Sequence, residues 1–292
     1  MTEAAQRPEP LVAIPVRHWG RWVSGAIVLV LLGLLINAFA HGDVRWSTTR
    51  HFLTVSSIVK GAGRTLLISV LAQALGIALG VVVAVMRSSG NPVTGAAGWL
   101  YVWFFRGTPV ILQLLLWYNL SLVFPTMFGH STNSIMTPFV AALLGLGINE
   151  GAYMAEIVRA GLGAVDEGQT EAALALGMTR GLLLRRVVLP QAMRVIIPPT
   201  GNEFINMLKT SSLAYAIQYA ELMRASVSIY TSNLQVIELL FTASIWYLVL
   251  TSVFSIGQFY LERRFARGSS RQLPATPLQR LLINLRRSPR AV

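Results

Sequence analysis

Six stretches of this chain are apolar enough, for long enough, to be read as membrane crossings. The first covers residues 24–40 and follows Arg17 and Arg21. It starts late, and no small-residue cleavage site follows it, so it reads as a true span rather than a removable signal segment. The second covers residues 65–86 and closes at Arg87. The third, 97–124, is interrupted by Arg106-Gly107-Thr108-Pro109, and the fourth, 138–157, ends at Glu156 and Arg159. The fifth, 199–222, is unusually polar, and the sixth, 236–261, closes at Glu262-Arg263-Arg264. Crossing about 30 Å of hydrocarbon takes roughly 20 apolar residues in a helix. The pattern therefore predicts an all-α polytopic membrane protein with six transmembrane helices.

Composition agrees. Hydrophobic residues are 54% of the 292 and charged residues 12%, against about 25% charged in a soluble domain. A net charge of +12 is also what nucleic-acid binding would require, but the arginines lie beside apolar segments, so the charge is read as topological. With the N-terminus inside, Arg87, Arg159, Arg180, Arg185, Arg186, Arg194 and the arginine-rich end from Arg263 fall on the cytoplasmic side. The outside then holds chiefly Arg45, Arg50, Lys60 and Arg224. Residues 51–60 are expected to form a short interfacial helix leading into the second span. The basic tail 263–292 is expected to lie in the cytoplasm near anionic lipid. There is no cysteine, the four histidines show no metal spacing, and no GxxxxGK[ST] phosphate loop occurs. No metal and no cofactor are expected, and the chain should not hydrolyse ATP itself.

One segment, 171–190, is too charged to cross a bilayer. Asp166, Glu167 and Glu171 suit a helix start, Ala172–Leu176 favours helix, and Gly177 can stop it in the left-handed conformation. Arg180, Arg185, Arg186 and Arg194 flank it, and Pro190 with Pro198-Pro199 is expected to break the chain before the next span. From amphipathicity alone this is also what a helix lying on the inner leaflet would look like. The order Glu171-Ala172-Ala173, Gly177, Leu189-Pro190, however, resembles the cytoplasmic EAA loop of bacterial ABC importer permeases. Arg106-Gly107-Thr108-Pro109 with Gln113 and the run 152–159 (AYMAEIVR) are similar to motifs of the polar amino acid branch of that family. So are 168–173 (GQTEAA), Leu189-Pro190-Gln191-Ala192 and Asn202-Glu203-Phe204-Ile205. The likeness covers roughly residues 61–262. It departs at Lys209-Thr210-Ser211-Ser212, where the family often has an acid after the lysine.

The fifth span carries the candidate chemistry. At 100° per residue, Asn202, Glu203, Asn206, Lys209 and Thr210 share one stripe. Charge in the membrane interior is costly and turns toward a cavity or a partner. A Glu203–Lys209 or Glu203–helix pair that merely ties helices together is one reading. The other is a polar cavity for an amino acid zwitterion, with Lys209 on the α-carboxylate and Glu203 on the α-ammonium or a cationic side chain. Asn206 and Thr210 would then add neutral hydrogen bonds. Asn149, Glu150, Tyr153 and Glu156 recur at helical spacing on the fourth span, as an inward-facing stripe would. Arg106 and Gln113 are candidates for a gate or cavity position, although Arg106 could equally cap a broken helix.

The resemblance implies a five-helix permease core behind an extra N-terminal span. The expected organisation is residues 1–60 as tail, extra helix and external loop, and 61–262 as the permease domain. Its coupling loop covers about 160–197, and 263–292 is the tail. Glu171, Ala172, Ala173, Gly177, Leu189 and Pro190 would dock on a separate ATPase. The implied partners are a dimer of ATP-binding subunits, an extracytoplasmic amino-acid-binding protein, and a second permease, identical or paralogous. Membrane lipid and a small-molecule amino acid complete the list, and no nucleic acid is expected. The location would be the bacterial inner membrane, with both termini cytoplasmic. An ion-coupled secondary amino acid transporter is the alternative, and it would need no EAA loop.

Overall fold

The computed structural model describes residues 19–42 and 44–265, without the side chain of Arg21. The expected N-terminal tail ahead of Trp19 and the basic tail beyond Phe265 lie outside the described residues. The chain divides into two compact units, one ending at Trp46 and the other starting at Ser47. In the first, α1 (Trp19–His41) is apolar throughout, with a mean hydropathy of 2.4 over Trp22–His41.

The second unit holds every motif. It comprises α2 (Trp46–Phe52, from Ser47 on), α3 (Ser56–Ser88), α4 (Pro92–Gly107), α5 (Val110–Tyr118), a small β-ribbon, α6 (Thr132–Ile135) and α7 (Pro138–Gly163). The charged segment follows as α8 (Glu167–Ala175) and α9 (Arg180–Leu183). Then come α10 (Leu189–Thr210), α11 (Leu222–Asn233) and α12 (Val236–Phe265). Strand content among the described residues is confined to β1 (Thr126–Met127) paired antiparallel with β2 (His130–Ser131). Phe128 and Gly129, both at positive φ, make the tight turn between them. The all-α expectation holds.

Three helices, α1, α3 and α12, are long and apolar enough to cross a membrane, and the α4–α5 pair becomes a fourth crossing if counted as one span. That pair bends by 102° where Thr108-Pro109 removes a helical donor, as the interruption in the third apolar stretch foreshadowed. Polar residues dilute α7 and α10, the fourth and fifth expected spans, and hydropathy alone does not single them out.

Two expectations need correction. Residues 51–60 are not one interfacial helix: α2 ends at Phe52, and Ser56 opens α3, which continues unbroken to Ser88. The earlier helix is anchored instead to α12. Thr49 Oγ1 donates to Glu238 O at 3.4 Å, and Trp246 Nε1 donates to Leu53 O at 3.0 Å. Nor do Pro190, Pro198 and Pro199 break the chain, for Pro190 sits in the first turn of α10, which follows the helical turn Leu184–Val188 without a gap, and the other two lie inside α10. Neighbours compensate the interrupted backbone: Gln258 Nε2 of α12 donates to Pro198 O at 2.7 Å, and Thr200 Oγ1 donates to Ile196 O at 2.8 Å.

The centre of the unit is the α3–α7 contact. A Cβ at Gly76 would collide with the Glu150 side chain, and one at Gly80 with Met154, whose neighbour Ala155 N would stand 2.9 Å away. Only because those carbons are missing can the two backbones approach this closely. Around the seam Ile68, Ala72, Leu114, Ala142, Leu146 and Met207 form a fully buried cluster. Ser69 Oγ, donating to Thr65 O at 2.7 Å and facing Met207 O at 3.4 Å, ties α3 to α10.

Gly80→Leu should therefore overpack the seam and lower stability by about 1–3 kcal/mol. Gly63→Ala, where an added carbon meets nothing within 4 Å, should not lower it and gains a little helix propensity. Thermal unfolding of the detergent-solubilised protein, followed by size-exclusion fluorescence, separates the two. Equal melting for both variants would refute the tight seam.

Candidate functional site

Helix α10 continues the amphipathic register read from the sequence, and one face of it lines a cavity of about 480 Å³. Glu203, Asn206, Lys209 and Thr210, all four expected binding residues, stand on that wall. The opposite wall is α7, through Asn149, Glu150 and Tyr153, and α5 adds Val110. Asn202, assigned to the same stripe, is exposed and is not part of the lining.

The charges in the cavity are two carboxylates and one ammonium. Glu150 is buried and accepts from Gln73 Nε2 of α3 at 3.2 Å, and the Glu203 carboxylate acts on it electrostatically. Glu203 and Lys209 form no salt bridge with each other; the ion pairs among the described residues are Arg87–Glu156 and Glu156–Arg159. The reading in which these two residues simply tie helices together thus has no such pair behind it. Gln73 went unnoticed in the sequence. Its one signal was an amide standing alone in an apolar run, one turn before Gly76.

Arg106 ends α4 with its guanidinium 5.1 Å from the centre of the Tyr153 ring, a cation–π contact at the cavity wall. Gln113 does something else. Its Nε2 donates to Phe105 O at 3.0 Å and Thr108 Oγ1 at 2.8 Å, and its Oε1 accepts from Asn149 Nδ2 at 3.3 Å. Asn149 Nδ2 also donates to Phe105 O at 2.7 Å. Both amides serve the carbonyls that the α4–α5 bend releases, so Gln113 splints the bend and does not line the cavity.

At the other end of α7, Glu156 accepts from Arg159 Nη2 at 2.8 Å, as its three-residue spacing suggested. It also accepts from Arg87, the last basic residue of α3, which sequence spacing could not have paired with it. Beyond this clamp lies the charged segment that holds α8 and α9. Asp166 caps α8, accepting from Gly168 N at 2.8 Å, so that helix starts earlier than expected and Glu171 falls within it. Gly177 has φ +77°. Its amide donates to Leu174 O at 2.9 Å and that of Met178 donates to Ala173 O at 3.1 Å, the paired bonds of a Schellman cap. Glu171, Ala172 and Gly177 are exposed, and Leu176 is 83% exposed; Ala173 is buried, and Leu189 and Pro190 begin α10 at the surface.

Residues 76–267 match the family described as binding-protein-dependent transport system inner membrane component. The chain is 47% identical over 284 residues to the arginine transport system permease protein ArgU of Corynebacterium glutamicum, covering 94% of this chain and 89% of that protein. It is 35% identical over 207 residues to the glutamine transport system permease protein GlnP of Escherichia coli K12, covering 71% and 92%. A solved amino acid ABC transporter with histidines matches with TM-score 0.65 and 37% identity over 71% of this chain and 94% of that one. The MetNI methionine ABC transporter in an inward-facing form shares the fold, with TM-score 0.60 at 20% identity over 72% and 97%.

Gly177→Val places a branched side chain in the left-handed region, where strain costs roughly 1–2 kcal/mol. Amide exchange at Gly177 and Met178 should accelerate by about tenfold or more as the α8 cap opens more often. Exchange by mass spectrometry reads this directly, and unchanged protection would mean that glycine is not what closes the helix.

Proposed function

Because the chain belongs to the binding-protein-dependent transport system inner membrane component family, we infer from its cavity which cargo it carries and how it is driven. It is the membrane-embedded permease subunit of an ATP-driven ABC importer, a multi-pass inner-membrane protein. As a transport subunit it is no enzyme, since ATP hydrolysis belongs to a separate chain in these systems. A self-contained, gradient-driven transporter is therefore disfavoured.

The cargo we propose is an amino acid with a cationic side chain. The formal charge of the cavity lining carries this reading: Glu150, Glu203 and Lys209 sum to one negative, Arg106 standing outside the lining. A cationic amino acid complements all three, with its α-carboxylate on Lys209 and its α-ammonium and side-chain cation shared between Glu203 and Glu150. Asn206 and Thr210 provide neutral hydrogen bonds. The name of ArgU, which specifies arginine, supports the same class, whereas GlnP is named for glutamine. Low local dielectric strengthens each of these contacts.

We further propose six crossings with both termini in the cytoplasm, α7 and α10 spanning the membrane behind their partners because their polar stripes face the cavity. The assembly would pair this chain with a second permease, two ATP-binding subunits and an extracytoplasmic binding protein. Closure of the ATPase dimer would pull on α8 through Glu171, Ala172, Ala173 and Gly177, and on the start of α10 at Leu189 and Pro190. Rocking of the helix bundles around a midplane site would then expose the cavity to one side and the other.

A charge-assisted hydrogen bond is worth about 1.5–3 kcal/mol, so Glu203→Gln or Lys209→Ala should lower ATP-driven uptake of labelled arginine by roughly ten- to hundredfold. Glu150→Gln should depress arginine uptake more than glutamine uptake. Co-purification of the ATPase with each variant scores assembly separately. Undiminished arginine uptake in all three variants would overturn the site assignment.

A further inference from the structure

A basic concavity lies away from the cavity lined by α7 and α10. It encloses about 520 Å³ between the start of α3 and α11. Lys60, Arg64 and Arg224 line it together with Ser56, Ser57 and Gln218, and no carboxylate takes part. Three cations without a counter-charge form a site for an anion.

Its walls are set before anything binds. Arg64 Nη1 donates to Ala220 O at 3.2 Å, joining α3 to the chain ahead of α11. Glu221 turns its carboxylate away from the pocket to accept from Met223 N at 2.7 Å, Arg224 N at 2.6 Å and Tyr247 OH at 2.9 Å. Gln218 sits at φ +65° in the turn between these anchors. Lys60 is exposed and Arg224 half-exposed, and neither side chain makes a hydrogen bond or ion pair among the described residues. Two cationic heads are therefore left for a ligand while the frame beneath them is fixed.

Charge also narrows the occupant. The cargo inferred above is cationic and this pocket would repel it, so the pocket is no relay station for cargo. A lipid phosphate would match the charge, but it brings acyl chains, and the lining offers them only Ala220 and Ala225 as apolar ground. An acidic side chain projecting from a folded protein brings no such chains. The wall of the pocket also leads straight into the cargo site along the sequence: Lys209 and Thr210 are followed by the 3-10 turn Ser211–Ile217 and then by Gln218.

We propose that the pocket lined by Lys60, Arg64 and Arg224 is the socket into which an acidic side chain of the extracytoplasmic delivery protein docks. This rests on the importer reading and on the outward placement of the α3 start. Such a contact would steer the encounter and fix its register, and added salt would weaken it.

The test uses the whole complex in nanodiscs of neutral lipid, with the purified amino-acid-loaded binding protein as probe. Lys60→Glu combined with Arg224→Glu should raise the half-saturating concentration of binding protein roughly tenfold or more and flatten its salt dependence. Lys60→Arg with Arg224→Lys should keep the unmodified value. Co-purification of the ATPase scores folding and assembly of each variant. An unchanged half-saturation in the reversed variant overturns the socket. A defect that appears only when phosphatidylglycerol is added also overturns it, because the pocket is then a lipid site. A wild-type complex that responds to no binding protein removes the importer reading and the socket with it, whereas normal wild-type stimulation with an indifferent reversed variant removes the socket alone.

Discussion

A charged side chain in hydrocarbon must be turned from lipid, and here the turning depends on how closely two helices can approach. Gly76 and Gly80 let α3 lie against α7 at the level of Glu150 and Met154. That approach lets Gln73 reach the Glu150 carboxylate and holds the polar face of α7 opposite that of α10. With bulkier residues on the seam, α7 would have to move away or rotate, and Asn149, Glu150 and Tyr153 would no longer form a wall. The same contact brings Arg87 to Glu156 at the far end, so one packing surface sets both the polar cavity and the Arg87–Glu156 clamp.

Backbone satisfaction is the second constraint, and the chain meets it in two ways. At the α4–α5 bend the released carbonyls are too many for water-free surroundings, and two buried amides, Gln113 and Asn149, are spent on them. In α10 the prolines leave the helix running, since α12 supplies Gln258 to Pro198 O. That amide fits only because residue 201 is glycine: a Cβ there would coincide with the Gln258 side chain. Helix breaking is thus a property of the neighbourhood as much as of proline.

This explains what the sequence disclosed and what it concealed. The α10 stripe was legible because a 100° rotation per residue is local geometry, and all four of its expected binding residues line one cavity. The stop at Gly177 was legible because a left-handed cap is decided within five residues. The course of α10 through Pro198 and Pro199 was not, since it rests on Gln258, sixty residues away. Gln73 and Arg87 were hidden for the same reason: their partners sit on α7, and periodicity within one helix carries no information about which residue of another stands opposite. The basic pocket was half visible, since Lys60 and Arg224 both fall on the expected outside, but its enclosure needs α11 folded back on α3.

Continuity of the rod matters for coupling. From Arg180 the chain runs through α9, a π-helical turn at Leu184–Val188, and α10 to Thr210 without an intervening loop, which at 1.5 Å per residue extends for about 45 Å. The segment next to the Schellman cap and the residues that line the cargo cavity are therefore opposite ends of one element. No loop separates the Arg180 end of this element from Glu203 and Lys209. The π turn is the one place where the rod's hydrogen-bond register changes, a feature that tends to occur at functional positions. It falls between α9 and α10, so a force applied at α8 and α9, in the coupling proposed above, would be converted there into tilt or rotation of α10. Coupling of this kind needs an element with two arrangements, and a rod that pivots beside Gly161, which a side chain would drive into Ile196, has a close-packed fulcrum already in place.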